Sequence, residues 1–279
     1  MPHTRRKKPA PNKRLQVTDD SGWTHVTTTQ RARRVHRPNT KPDQDNEVEE
    51  GLEPLVPAEA PPKTTLSDLQ RQLGLYRGRW EASATWECVS KGLKRGSPSL
   101  FERGNKDNIE VEGEGEGSVS IVCVGLGSPS GFLRGGWVDR RAVSMYQLAA
   151  LVSIMDYLGT PKIPAYAQDP VFNKHDTNLL SSQNISVLDH PLGFEKVTSR
   201  TLLFCPGAER RHLEILLKRD PAIVVGGPLE DIESDVVRDF VEKRESVQLQ
   251  AFEDLEAAFW GMSIYFPPPA DQETEAKAD

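Results

Sequence analysis

Gly125, Gly127, Ser128 and Ser130 stand in the order a chain needs to bring backbone N–H groups close to a ligand. Glycine accepts the positive φ of a sharp turn and lets another group approach its backbone. A buried strand running into such a turn, with a helix after it, is the grammar of many ligand-binding α/β domains. The dinucleotide fingerprint G-x-G-x-x-G is incomplete here, because Ser130 takes the place of the third glycine and Pro129 precedes it. Residues 131–140 also delay the helix, so its N-terminus need not point at the turn as in a phosphate cradle. Asp169, at the end of the next strand, has the chemistry to hold ribose hydroxyls, but it lies about twice as far along as the usual ~20 residues. Two expectations therefore stand side by side. Gly125, Gly127, Ser128, Ser130 and Asp169 bind a nucleotide or S-adenosylmethionine, or they form a tight strand-to-loop turn and an Asp-Pro turn.

Cys205-Pro206 is the second chemical candidate. A cysteine thiolate can ligate haem iron. A sulfur just ahead of a helix gains from the positive end of the helix dipole, and His212 follows one to two turns into that helix. The plainer expectation is a strand-end cysteine packed as a small apolar side chain, with a proline opening the helix. His175-Asp176 and Asp189-His190 fall in loops at strand ends, but no nucleophile is placed beside them and no G-x-S-x-G elbow is present, so no catalytic set is assigned. Cys88, Cys123 and Cys205 are widely spaced and form no CxxC pair, which argues against a zinc ribbon and a disulfide framework and for a reducing compartment.

Strands and helices alternate along the chain around these residues. Residues 119–124 form an apolar run, as in a strand covered on both faces. The helix after it carries Met145, Leu148, Ala149, Val152 and Met155 at helical spacing, and Gly159 and Pro161 stop it. Further strands are expected at 163–167, 185–188, 201–205 and 222–225, with helices at 177–182, 208–218 and 231–244, and one or two elements over 247–266. This alternation predicts a doubly wound, mostly parallel Rossmann-like α/β sheet. A helical lead-in precedes it: one helix carries Leu66, Leu69, Leu73 and Tyr76, and a second spans 79–93 before Gly92, Gly96 and Pro98 interrupt.

The flanks differ from this core. Residues 1–63 are rich in charge and proline and are expected to be mostly disordered, basic over 1–41 and acidic over 43–59. The acidic glycine repeat in 104–117 is expected to be a flexible loop, and 267–279 a disordered tail, leaving 64–266 as the folded domain. Trp23 is a candidate anchor for the body or a partner. The cluster Arg5, Arg6, Lys7 and Lys8 could serve nuclear import or contact an acidic surface. Sequence-specific nucleic-acid reading is not expected, since no helix-turn-helix or aromatic–basic surface motif occurs. No transmembrane run and no secretory leader are seen, so cytoplasm and nucleus are the expected locations.

The order of five motifs is similar to that of the Sensitivity-to-Red-light-Reduced-like (SRR-like) family, which includes the yeast benomyl-resistance protein. The residues that carry the resemblance are Ile121-Val-Cys-Val-Gly-Leu-Gly-Ser-Pro-Ser130, Ser144-Met-Tyr-Gln-Leu-Ala-Ala-Leu151, Gln168-Asp-Pro-Val-Phe172, Thr201-Leu-Leu-Phe-Cys-Pro206 and Ala251-Phe-Glu-Asp254. Gly22-Trp23 resembles a tryptophan the family often keeps ahead of its domain. The resemblance implies a regulatory role through an unidentified protein partner or a small ligand, in circadian or light-input signalling or in control of haem metabolism. A nucleotide- or S-adenosylmethionine-dependent transferase and a ligand-free, microtubule-related scaffold are the alternatives. Two turns depart from the family. Its Met-Pro-His-Cys-like turn is Cys205-Pro-Gly-Ala208 here, and its Gly-Asn-Ser-like turn is Gly226-Gly-Pro228. A ligand or metal held by those turns elsewhere would meet an altered site in this chain.

Overall fold

The computed structural model describes residues 14–18, 24–28, 56–102, 118–132, 139–159 and 162–268. Trp23, the basic cluster at 5–8, the loop 104–117 and the tail beyond 268 lie outside the described residues. The chain divides into two units, Met1–Leu52 and Glu53–Asp279. In the first, β1 (Arg14–Thr18) and β2 (Thr24–Thr28) pair antiparallel, with Arg14 opposite Thr28. These strands fall inside the arm expected to be mostly disordered.

The second unit is built on a seven-stranded sheet. Its strands are β3 (Ser120–Val124), β4 (Ala165–Gln168), β5 (Ile185–Val187), β6 (Thr201–Cys205), β7 (Ile223–Gly226), β8 (Glu245–Gln248) and β9 (Ser263–Phe266). They lie in the order β5-β4-β3-β6-β7-β9-β8. The first five are mutually parallel; β9 runs antiparallel to both β7 and β8. The mostly parallel α/β sheet expected from the sequence is thus present, and the 247–266 stretch supplies its antiparallel edge.

Strand residues alternate between two apolar layers, as the period of a strand requires. Ile121, Cys123, Leu202, Phe204, Ile223 and Val225 face one layer; Val122, Val124, Leu203, Cys205 and Val224 face the other. The first layer is covered by α1 (Leu66–Glu81), α2 (Ala84–Glu102), α3 (Arg141–Leu158) and α4 (Lys174–Ser181). The second is covered by α5 (Leu192–Glu195), α6 (Arg210–Leu217) and α7 (Asp235–Glu242). Helix α3 is the central one: every residue of 143–155 is buried, and Gly159 ends it in the left-handed conformation. Thr65 caps α1, its side chain accepting from the Asp68 N–H. Ala58 and Glu59, ahead of the expected start near Thr64, are already tied to the body through Val171 and Phe132.

Helix α2 corrects one expectation. Gly92, Gly96 and Pro98 do not interrupt it; the helix runs through all three. The glycines are there for contact with the sheet. A Cβ on Gly92 would stand 2.6 Å from the Cγ2 of Ile264, and one on Gly96 would stand 2.9 Å from the Cβ of Phe266. Side chains also take up carbonyls around the proline, the Ser99 hydroxyl donating to the Gly96 carbonyl at 2.7 Å. A clear test follows from the competing magnitudes. On helix propensity alone, Gly92→Ala would stabilise by about 1 kcal/mol. Overpacking against Ile264 costs about 1–3 kcal/mol and is expected to win. Urea unfolding of Gly92→Ala should therefore show a lower midpoint; a raised one would mean that the helix stands further from β9.

Candidate functional site

The site is the end of the sheet where β3, β4 and β6 finish. Strands β4 and β5 extend the sheet to one side of β3, and β6 and β7 extend it to the other. The gap between the C-terminal ends of β3 and β6 is therefore the switch point at which open α/β sheets commonly bind ligands.

Here that gap is closed by the chain's own backbone. Gly125 and Gly127 follow β3 with φ of 78° and 72°, in the left-handed region that favours glycine. Gly207 follows β6. A Cβ on Gly125 would lie 2.6 Å from the Gly207 carbonyl carbon, and one on Gly207 would lie 2.5 Å from the Gly125 oxygen. The two turns touch backbone to backbone, with no room for a side chain at either position.

The Gly127 and Ser130 amides of the glycine turn are also taken. The Gly127 N–H donates to Asp169 Oδ2 at 2.8 Å, and the Val171 N–H donates to Asp169 Oδ1 at 3.0 Å. Beside it, the Ser128 hydroxyl donates to Asp176 Oδ2 at 2.6 Å, and the Ser130 N–H donates to Asp176 Oδ1 at 2.9 Å. Asp176 also accepts from the Asn173 N–H at 3.0 Å, and the Gly131 N–H donates to the Ser128 hydroxyl at 2.8 Å. Asp176 is wholly buried. Together with Asn173 it forms a reciprocal capping box that starts α4. The pair His175-Asp176 thus lies in the first turn of α4, not in an open loop at the crevice. The residues missed from sequence were Asn173 and Asp176 as the anchor of the turn. The signal was there, an N-cap asparagine followed three positions later by an acid.

Three titratable side chains approach the same end. Burial raises the Asp169 carboxyl above its usual value; the Gly127 and Val171 N–H groups pull it back, and the neighbouring Asp176 adds to the rise. Burial lowers the His212 imidazole, with Arg211 and His190 adding to the effect against Glu209 and Asp169. His190 is linked to β4, its Nδ1 lying 3.0 Å from Gln168 Nε2, while Gln168 Oε1 accepts from the Gly193 N–H at 2.8 Å. Phe194 stands between the two imidazoles, its ring 5.1 Å from His190 and 5.4 Å from His212. No group of three or more His, Cys, Asp or Glu among the described residues could hold a metal ion.

The sequence-derived candidates therefore divide. Gly125, Gly127, Ser128, Ser130 and Asp169 come together in one bonded cluster. Cys205 ends β6 beside it, but its side chain is buried in the second apolar layer with Val122, Val124 and Leu203. Its sulfur closes against Gly226, where a Cβ would meet it at 2.6 Å. Burial pushes this thiol up to about 12, so it stays protonated at neutral pH. A thiolate ligand would need this packing to open.

The Asp169 shift carries a pH prediction. Its folded pKa is raised above the ordinary 3.8, so between those two values the folded state binds more protons than the unfolded one. Stability from this group is fully present below the ordinary value and is lost as pH rises through the folded value. Asp169→Asn should remove that slope. Urea unfolding from pH 3 upward should therefore show Asp169→Asn gaining on the native chain as pH rises through this window. A difference that stays flat would refute the burial argument.

Compared with known proteins, the family model for the SRR1 domain matches residues 101–266. No curated protein and no solved structure matches the chain.

Proposed function

The chain belongs to the SRR1 domain family, and from that premise we propose that it is a regulatory domain that acts by binding a protein partner, its glycine turn held as an internal lock. One observation carries this above the rest. The Gly127 amide, which a phosphate would need, is given to the Asp169 carboxylate. An anion of the chain itself occupies the place of an anionic ligand, and Asp176 adds a second carboxylate behind it. A phosphate entering there would have to displace one carboxylate and approach another, against unfavourable like-charge contact. The Gly125–Gly207 contact closes the remaining space. The settings carried over from the resemblance are circadian or light-input signalling and control of haem metabolism; the cytoplasm and nucleus are the locations the chain's cysteine usage and basic cluster favour.

A Rossmann-like transferase is the second reading, and one observation favours it. Asp169 and His212 are both pushed toward their neutral forms at a strand-end crevice, the kind of perturbation that marks acid–base sites. S-adenosylmethionine, a cation, would not be repelled by the carboxylates.

A thermal-shift screen of the full chain against ATP, NAD, S-adenosylmethionine and haem separates the two. A ligand that binds only the folded state stabilises it by about 2.7 kcal/mol at a hundredfold excess over its dissociation constant. The lock predicts no shift with any nucleotide. A nucleotide or S-adenosylmethionine shift that disappears in Gly127→Ala would overturn it and favour the transferase.

A further inference from the structure

A depression lies at the same end of the sheet, away from the glycine turn, where β7 and β8 end and β9 begins. It encloses about 550 Å³, within the range of ligand-binding clefts. Glu230, Asp231 and Glu256 line it, and among the described residues no lysine, arginine or histidine does. Trp260 stands on its wall with 65% of its surface exposed.

This tryptophan is held in place from both sides. Phe259 before it is buried and packs on Trp80, ring centroids 4.4 Å apart. Gly261 after it has a φ of 67°, and a Cβ there would stand 3.0 Å from Pro228. The backbone on either side is thus pinned while the indole is left in water. Leaving so large an apolar ring in water forgoes the stabilisation of its burial. One carboxylate is fixed as well. Glu230 accepts from the hydroxyl of buried Tyr265 at 2.7 Å, and that hydroxyl in turn receives the Leu229 N–H at 3.3 Å.

We infer that this cleft binds an arginine-bearing segment of a protein partner, one guanidinium stacking on Trp260 while Glu230, Asp231 and Glu256 take the adjoining positive charges. A ring face beside carboxylates is the combination that recognises a cation, and a planar guanidinium stacks on indole while also bonding a carboxylate in bidentate fashion. An ammonium cannot do both. Three carboxylates with no cation among the described lining residues call for more than one positive charge, which a basic peptide supplies and a single small cation does not. Aromatic and arginine anchors in such recesses supply most of the binding energy of protein contacts. The inference rests on the partner-binding reading and names the partner's chemistry. The two fail separately, since a nucleotide acting at Gly127 would sink the lock and leave this cleft untouched.

The test is calorimetric titration of the full chain with tetra-arginine, tetralysine and spermine. Tetra-arginine should bind, more tightly than tetralysine or spermine, and more weakly as salt is raised. Trp260→Ala should lower its affinity about three- to thirtyfold. Asp231→Asn and Glu256→Gln should each lower it by up to about fivefold. All three side chains are exposed, so these variants should unfold at the temperature of the native chain, and that is measured alongside. No tetra-arginine binding, binding unchanged in Trp260→Ala, or spermine binding as tightly with the same dependence on Trp260 would each overturn the inference.

Discussion

Gly125→Ala is expected to cost the domain about 3–5 kcal/mol, in the range that marks a disrupted core contact rather than a surface change. Two effects add. The residue sits at a φ of 78°, and an L side chain in the left-handed region costs about 1–2 kcal/mol. The new methyl would also stand 2.6 Å from the Gly207 carbonyl carbon. Backbone cannot swing aside as a side-chain tip can, so the β3 and β6 turns must separate. Gly159 supplies the internal control. Its φ is 93° and no described residue lies within 4 Å of a Cβ there, so Gly159→Ala should cost only the conformational term, about 1–2 kcal/mol. Equal costs for the two variants in urea unfolding would show that the β3 and β6 turns do not constrain one another.

Asp176→Ala should be the second large effect, about 3 kcal/mol or more. Its carboxylate is wholly buried and accepts from the Ser128 hydroxyl and from the Ser130 and Asn173 N–H groups. Removing the acceptor strands all three donors where water does not readily reach them, at about 1–3 kcal/mol for each group left unsatisfied. The Asn173 N–H bond is also the return half of the capping box, so the start of α4 loosens with it. Asp176→Asn keeps one acceptor oxygen and should cost less than alanine. Thermal unfolding of the two variants checks the order. An Asp176→Ala variant within 1 kcal/mol of the native chain would mean that the turn is not anchored through this side chain.

Much of this fold could be read along the chain because burial on both faces writes itself as an apolar run. Strand β6 has the expected bounds of 201–205, and β3 differs from expectation by one residue. Helix α3 was legible from its apolar spacing and its glycine stop. What could not be read depends on partners distant in sequence. Gly92 and Gly96 look like helix breakers until Ile264 and Phe266 are seen against them. The members of the site were legible as residue types, since Gly125, Gly127, Ser128, Ser130 and Asp169 do assemble. Their bonding was not. The Gly127–Asp169 pair is separated by 42 positions, and no local spacing distinguishes an aspartate that waits for ribose from one that already holds the turn's amide. The contact between Gly125 and Gly207 was hidden for the same reason, as it depends on β3 and β6 being neighbours in the sheet.

The lock depends on Gly127 and Ser130 spending their amides on Asp169 and Asp176. Backbone amide hydrogen exchange of the full chain tests it most directly, read at Gly127 and Ser130 in the native protein and in Asp169→Ala. Exchange should be slow at both amides in the native protein, with Asp169→Ala accelerating Gly127 while Ser130, held by Asp176, stays slow. Fast exchange at Gly127 in the native protein, or an Asp169→Ala variant that leaves Gly127 protected, would contradict it and return the turn to the status of an open ligand cradle.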